Sequence, residues 1–343
     1  MEYRRELAGG AVLTVIEIES AALKGNPLGD PHVRACPLLL PPGGGNAARG
    51  MPLVAVLFGY TGFAHKVLNK PSQWQESLPE RVARGMAEGR IPPAVLVWPA
   101  CETRLGGSQF VNSTGTGRYE DFTCDEVVPA IERALACGGA GRRIVVGKSS
   151  GGFGALHLAM RRPGFFAAAG SHSGDLGFDM SHVRGFADAL NAWRRAGGPA
   201  AFRAALPNLE KFGFSEHAGA EMLALGHCYS PDPESPWGCE LPVDPETGEP
   251  RPAVFERWLA FDPLRRVAAN PAEAGALRGL QALYLDAGEA DEFSLQWGLR
   301  RFAARLRTLG IPHRAEFFPG GHFDTDARYE VSLPFLLGEQ ARH

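Results

Sequence analysis

The segment Gly147-Lys148-Ser149-Ser150-Gly151-Gly152 joins a hydroxyl to the small residues that a strained turn requires. It follows the apolar run Ile144-Val145-Val146 and opens residues 151–161, which suit a helix that Pro163 would end. In that context the G-x-S-x-G spacing predicts a tight strand-to-helix turn presenting Ser149, where side chains two positions away on either side would collide with neighbouring chain. The Ser149 hydroxyl then sits over a helix N-terminus, whose free N–H groups and dipole favour developing negative charge. Ser150 is preceded by Lys148 where a glycine is wanted, so its use lies in its backbone N–H, as one donor of an oxyanion hole. The second donor should come from the loop after an earlier strand, here Phe58-Gly59-Tyr60-Thr61-Gly62, with the Tyr60 N–H first and Thr61 second.

A serine hydroxyl is a weak nucleophile and needs a base within hydrogen-bond reach. Of ten histidines, His322 in Gly320-Gly321-His322-Phe323-Asp324 is the best placed, in a loop just beyond the last expected strand, at the sheet end where ligands gather. His313 begins a strand and reads as structural. His172, in Ser171-His172-Ser173-Gly174, is a pocket candidate whose alternative is simple packing. An acid must then hold the imidazole's tautomer. The expected strand 280–285 runs into Asp286-Ala287-Gly288-Glu289-Ala290-Asp291-Glu292-Phe293, where Asp291 is favoured, Glu289 and Asp286 are alternatives, and Glu292 is expected to face solvent. The order Ser149, Asp291, His322 is that of the α/β-hydrolase fold and of neither well-known protease fold.

Positioning such residues needs strands and helices in alternation, and the sequence offers them. Residues 11–20 alternate apolar and polar, as in a strand with one wet face, and a second strand ends at Leu38-Leu39-Leu40. The runs Leu53–Phe58, Ala94–Trp98 and Ile144–Val146 are apolar throughout, as strands buried on both faces of a parallel sheet are. Further strands are expected at 165–169, 280–285 and 314–318. Helices are expected around 78–88, 125–136, 151–161 and 328–338, and along the stripe Leu295, Leu299, Phe302, Leu306 and Leu309. Thr123-Cys124-Asp125-Glu126 looks like a capping box, and 102–122 is a long glycine-rich loop. The pattern predicts an α/β architecture: a mostly parallel central sheet with helices on both faces. From 178 to 262 it lapses into helical pieces followed by seven prolines between Pro231 and Pro252. The expected organisation is a core of residues 1–177 and 263–343 with a helical, proline-rich cap at 178–262.

Composition narrows the function classes. Thirty-five Lys and Arg against 38 Asp and Glu leave a net charge of −3, which argues against nucleic acid as a partner. No apolar run reaches the length of a membrane span, and the first residues lack a signal peptide's apolar stretch, so a cytoplasmic chain is expected. The six cysteines are scattered, with no C-x-x-C pair, which points away from zinc and redox motifs; only Cys228 and Cys239 flank one loop closely enough to check for a bridge. No metal and no cofactor is expected. The state of assembly, homo-oligomer included, is open.

Several stretches together resemble the putative esterase family of α/β-hydrolases, the group of esterase D, the enterochelin esterase-like enzymes and the mycolyltransferase antigens. They are Leu40-Pro41-Pro42-Gly43 before the run 53–59, Phe110 to Asp121, Gly147 to Leu156, Gly288 to Phe293, and Gly320-Gly321-His322. The resemblance implies a triad of Ser149, Asp291 and His322 and an oxyanion hole of the Tyr60 and Ser150 amides. The sequence departs from the family at Phe58, where His is usual, and at Lys148, where His or an aromatic is usual. Some relatives use Glu as the acid, which keeps Glu289 in view. The implied activity is carboxylic-ester hydrolysis of a small-molecule ester, with acyl transfer to an alcohol and a catalytically silent binding protein as alternatives. Gly59, Thr61, Lys148, Trp98, Tyr119, His172 and Trp237 are the substrate-binding candidates, with Tyr60, Phe110 and Phe323 as further aromatic lining. Arg104 and Arg118 are either recognition residues for an acidic substrate or solvated surface.

Overall fold

The computed structural model describes residues 3–338. Eleven strands occur among them: β1 Arg4–Glu6, β2 Val12–Glu19, β3 Val33–Leu40, β4 Leu53–Leu57, β5 Val95–Val97, β6 Asn112–Ser113, β7 Gly117–Arg118, β8 Arg143–Lys148, β9 Ala168–His172, β10 Ala282–Gly288 and β11 Arg314–Phe318. Nine of them form one sheet in the order β1-β2-β3-β5-β4-β8-β9-β10-β11, while β6 and β7 make a small hairpin. The first strands pair antiparallel as far as β5; from β5 onward every pairing is parallel.

Strand alternation divides the core between the two faces of the sheet. Leu53, Ala55, Leu57 and Val145 point to one side, where Leu156, Leu158, Leu299 and Phe302 of the helices Ser150–Arg161 and Leu295–Thr308 pack on them. Val54, Val56, Ile144 and Val146 point to the other, against Val82 and Met86 of the helix Leu78–Ala87 and Leu333 and Leu336 of the helix Tyr329–Gly338. Fully buried on both sides, these strands needed apolar residues at every position. The parallel direction brings the carboxyl ends of β4, β8, β9, β10 and β11 to one edge of the sheet.

Between β9 and β10 no described residue joins the sheet; only isolated bridges, Pro231 with Cys239 and Val243 with Pro250, occur there. Helices Phe186–Ala196, Pro199–Ala205, Phe214–Tyr229 and Pro252–Leu259 instead gather a separate apolar cluster around Trp193, Phe202, Leu223 and Trp258. Phe153, from the helix after Ser149, joins it and couples the segment to the sheet. The helices Pro263–Ala269 and Pro271–Arg278 pack back on the helix Ser150–Arg161.

Two local expectations are corrected. Thr123 does not cap a helix: it lies inside a π-helical stretch, Phe122–Val127, and its hydroxyl donates back to the Tyr119 carbonyl at 2.9 Å. Strand β9 begins at Ala168, later than the expected 165, because Phe165 and Phe166 pack edge to face in the preceding turn, with the Arg143 guanidinium over the Phe165 ring. No helix among the described residues is long and apolar enough to cross a membrane.

Candidate active site

Strand β8 ends on Lys148 and the helix Ser150–Arg161 starts two residues later, which leaves Ser149 as the turn between them. Its backbone adopts φ 58° and ψ −126°, a conformation that strains an L-residue by about 1–3 kcal/mol. Two hydrogen bonds hold it there: the Ser149 N–H donates to the His172 carbonyl and the Ser149 carbonyl accepts from the Phe153 N–H, each at 2.9 Å. The flanking glycines are required by contact. A Cβ on Gly147 would lie 2.3 Å from the Gly151 carbonyl oxygen, and one on Gly151 would lie 2.2 Å from that of Leu57.

The loop after β4 passes directly over this turn. A Cβ on Gly59 would meet the Ser149 Cβ at 3.0 Å and come within 3.6 Å of its Oγ. The Thr61 N–H is committed to the Gly106 carbonyl at 3.0 Å, whereas the Tyr60 N–H has no acceptor among the described residues. Tyr60 is fixed from behind, its hydroxyl donating to the Leu105 carbonyl at 2.7 Å. The Ser150 N–H belongs to the first helical turn, whose N–H groups have no partner within the helix. The glycine-rich loop 102–122 thus acts as a buttress, and Gln109 extends it by donating from Nε2 to the Ser150 hydroxyl at 3.0 Å.

His322 follows β11, and its Nδ1 lies 2.8 Å from Asp291 Oδ2. The other Asp291 oxygen accepts the Phe293 N–H at 2.9 Å. Burial works to raise the pKa of Asp291, but the hydrogen bond and charge of His322 and the Phe293 N–H outweigh it and hold the carboxyl below its ordinary range. An ionised Asp291 accepts the hydrogen bond of the Nδ1–H, which fixes the tautomer that leaves Nε2 free to accept. Phe293 and Phe323 meet the imidazole edge-on, with centroids 4.7 and 5.5 Å away.

Ser149 and His322 line the same cavity, of about 920 Å³, with Gly59, Tyr60, Thr61, Lys148, Trp98 and Phe323. That volume lies within the range of small-molecule sites. Lys148 is half-buried there, and loss of solvent lowers its pKa against the opposing pull of Asp326, Asp291 and Asp324. Among the described residues no group of three or more His, Cys, Asp or Glu is placed to hold a metal ion.

A family model described as Putative esterase matches residues 34–334. The chain belongs to the Putative esterase family. Solved structures agree on the fold of this esterase. A ferulic acid esterase superposes with a TM-score of 0.61 at 18% identity, covering 96% of this chain and 98% of its own. An S-formylglutathione hydrolase from Agrobacterium tumefaciens gives 0.59 at 15% identity, covering 98% of both chains. The fluorophosphonate-binding serine hydrolase F of Staphylococcus aureus gives 0.58 at 13%, covering 95% of this chain and 98% of its own. Identities this low fix the architecture, an α/β-hydrolase, and leave the residues to be argued from their own geometry. No curated protein matches the sequence.

The esterase's remaining sequence candidates fall elsewhere. Tyr119 does not reach the cavity: it is fully buried, and its hydroxyl accepts from Arg34 at 2.7 Å. His172 is also sealed in, with Nδ1 2.7 Å from Asp286 Oδ1 and Nε2 2.9 Å from the Ser332 hydroxyl. Asp286, an alternative acid, is thereby engaged, because β10 runs on to Gly288 and turns it into the sheet. Trp237 lies outside the cavity, its carbonyl accepting from Arg203 and His227, and Phe110 packs against Gly154. Glu289 is an exposed partner of Arg300 at 2.7 Å and does not contact His322. Glu292, although exposed, accepts the His322 backbone N–H at 2.6 Å. Arg104 and Arg118 are exposed beside Asp30 and Asp121. All six cysteines, Cys228 and Cys239 included, are buried free thiols.

Among the polar residues of the cavity wall that escaped sequence reasoning are Asp175, His182, His217 and Glu221. Asp175 had a usable signal, since it lies just past β9 at the same sheet edge as Ser149 and His322. Glu221 interrupts the otherwise apolar run Ala218 to Leu225, which only a helix facing a polar cavity would tolerate.

Proposed function

We propose that this esterase hydrolyses small-molecule carboxylic esters through an acyl-enzyme on Ser149, with His322 as the base and Asp291 as its orienting acid. The observation that carries this reading is that a strained Ser149 and an Asp291-paired His322 open onto one cavity. In the first half-reaction Ser149 Oγ attacks the ester carbonyl carbon and its proton passes to His322 Nε2. The tetrahedral oxyanion accepts hydrogen bonds from the Tyr60 and Ser150 N–H groups, neither of which has another acceptor among the described residues. Collapse breaks the C–O bond to the alcohol, which leaves with the proton from His322. Water then gives a proton to His322 and attacks the acyl carbon, and the proton returns to Ser149 as the acid departs.

Gly59, Thr61, Lys148 and Trp98 act as lining of the acyl and alcohol pockets, and the helical segment 178–262 acts as a cap, since Ser181, His182, Phe212, Phe214 and His217 border the cavity. Six reduced thiols suit a reducing compartment such as the cytoplasm. The test is Ser149→Ala with a p-nitrophenyl ester and a fluorophosphonate probe. Both hydrolysis and labelling should be lost while the fold is kept; a folded variant that still turns over the ester refutes the mechanism.

A further inference from the structure

Two carboxylates stand in the cavity wall with no cation to balance them. Asp175 is 5% exposed; one of its oxygens accepts from the Ser150 hydroxyl at 3.0 Å and the other has no partner among the described residues. Glu221 reaches the cavity from the helix Phe214–Tyr229 and makes no hydrogen bond with the described residues; its Oε2 lies 3.9 Å from His217 Nδ1. The cavity's basic residues are engaged in another part of the wall: Lys66, Arg81 and Lys148 act on Asp326, and Lys70 pairs with Glu80 at 3.3 Å. His182 borders the same cavity at 7% exposure, and its buried Nε2 is unpaired among the described residues.

We propose that Asp175 and Glu221, with His182 beside them, form a cation subsite that selects esters carrying an ammonium group. This rests on the reading of Ser149 as the nucleophile, since the Ser150 hydroxyl ties Asp175 to the turn that presents it.

The electrostatics fit such a ligand. Burial first, and then the Asp175 charge, push the Glu221 pKa up to about 8; burial pushes Asp175 up to about 7 despite its bond from Ser150. Both histidines are driven the other way by burial, to about 3 for His182 and about 4 for His217, so neither supplies a counter-charge. Like-charged carboxyls in a poorly solvated wall retain protons until something positive replaces them. An ammonium offers N–H donors to both carboxylates and removes the repulsion between them. A neutral alkyl group of the same shape leaves the carboxyls protonated and gains nothing from them.

The groups facing Glu221 are Asp175, His217 and the hydroxyls of Tyr60 and Tyr229. Both tyrosines are held well above their ordinary range by burial, so between pH 6 and 9 only the carboxyls change charge at the subsite.

The test compares kcat/KM for p-nitrophenyl 6-aminohexanoate and p-nitrophenyl heptanoate, which differ by an ammonium against a methyl group. Taking the ratio cancels the contribution of the shared machinery around Ser149, which serves both esters. In the wild type the ratio should rise several-fold from pH 6 to 9 as the carboxyls ionise. Glu221→Gln should lower it about tenfold or more at pH 8.5 and flatten its pH profile. If Glu221→Gln fails to fold, the wild-type profile decides alone. A ratio that ignores pH, or that survives Glu221→Gln, overturns the subsite while leaving the Ser149 reading intact. Loss of that reading is recognised separately, by hydrolysis of p-nitrophenyl acetate that persists in Ser149→Ala.

Discussion

Glu292 accepts the backbone N–H of His322 at 2.6 Å, while its neighbour Asp291 holds the same residue's ring at 2.8 Å. Two consecutive carboxylates from the loop after β10 thus fix both the main chain and the side chain of one residue in the loop after β11. Without the first contact the loop Gly320-Gly321-His322 has two glycines, the Asp291 bond to its ring and one backbone bond, from the Ala290 N–H to the Gly320 carbonyl at 2.9 Å, to set its path. Glu292→Ala should lower kcat about tenfold or more with a smaller change in KM, because a charge-assisted hydrogen bond of ~1.5–3 kcal/mol is lost at the base. Glu292→Gln, which keeps an acceptor, should recover most of that loss in the same kinetic assay. Equal kcat in the wild type and the alanine variant would remove Glu292 from the machinery.

The two acid candidates separate cleanly in kinetics. Asp291→Asn should reduce kcat by about 10³–10⁴, since the amide no longer enforces the Nδ1–H tautomer. Glu289→Gln breaks only an exposed pair with Arg300 and should stay within about twofold of wild type. The reverse ranking of the two variants would transfer the role to Glu289.

A second Ser-His-Asp arrangement lies inside the fold: Ser332, His172 and Asp286, at 2.9 and 2.7 Å. All three are at most 2% exposed and none borders the cavity, so the atom pattern of a triad occurs without access for an ester. Ser332→Ala should leave esterase activity unchanged and lower stability by about 1–3 kcal/mol through the buried Nε2 it strands, measured by urea unfolding. Fluorophosphonate labelling of Ser332 in a Ser149→Ala background would contradict this assignment.

Stability should depend on pH through the cavity carboxyls. Glu221 and Asp175 keep their protons to about 8 and about 7 when folded, against roughly 4 in an unfolded chain. The folded state binds protons more tightly, so this contribution is fully present at acid pH and is lost as the pH rises toward 8. The wild type should therefore lose Tm relative to Glu221→Gln between pH 5 and 9, by on the order of 2–4 °C. Asp291 acts in the opposite sense: its lowered pKa adds stability above the unfolded value that disappears as the pH falls through the folded one. A difference in Tm between the wild type and Glu221→Gln that is constant across this range would show that Glu221 titrates normally.

Much of the molecule was legible because its signals are local. The run Leu53 to Leu57 and the run Ile144 to Val146 are strands because burial on both faces admits only apolar residues there. Gly147 and Gly151 mark the turn because any Cβ strikes a carbonyl, and chain order carried Asp291 and His322 to the same sheet edge as Ser149. Strand β3 was only half visible: Pro37, which cannot donate to a ladder, concealed its beginning at Val33. His172 and Tyr119 read as pocket residues because a polar side chain near a strand end looks alike whether it faces a cavity or a buried partner. Glu221 showed only as a lone charge in an apolar run, and its partner stayed hidden for a related reason. Its importance comes from facing Asp175, a residue brought opposite by the docking of a helical segment on the sheet, and such a distance belongs to no stretch of sequence. The sequence by itself determined the sheet and the serine turn, since each follows from sterics and burial within a few residues, and it set the chain order of Ser149, Asp291 and His322. Only the tertiary structure decided which polar groups meet in the cavity, because their charges, partners and access to substrate depend on chain segments that approach one another through space.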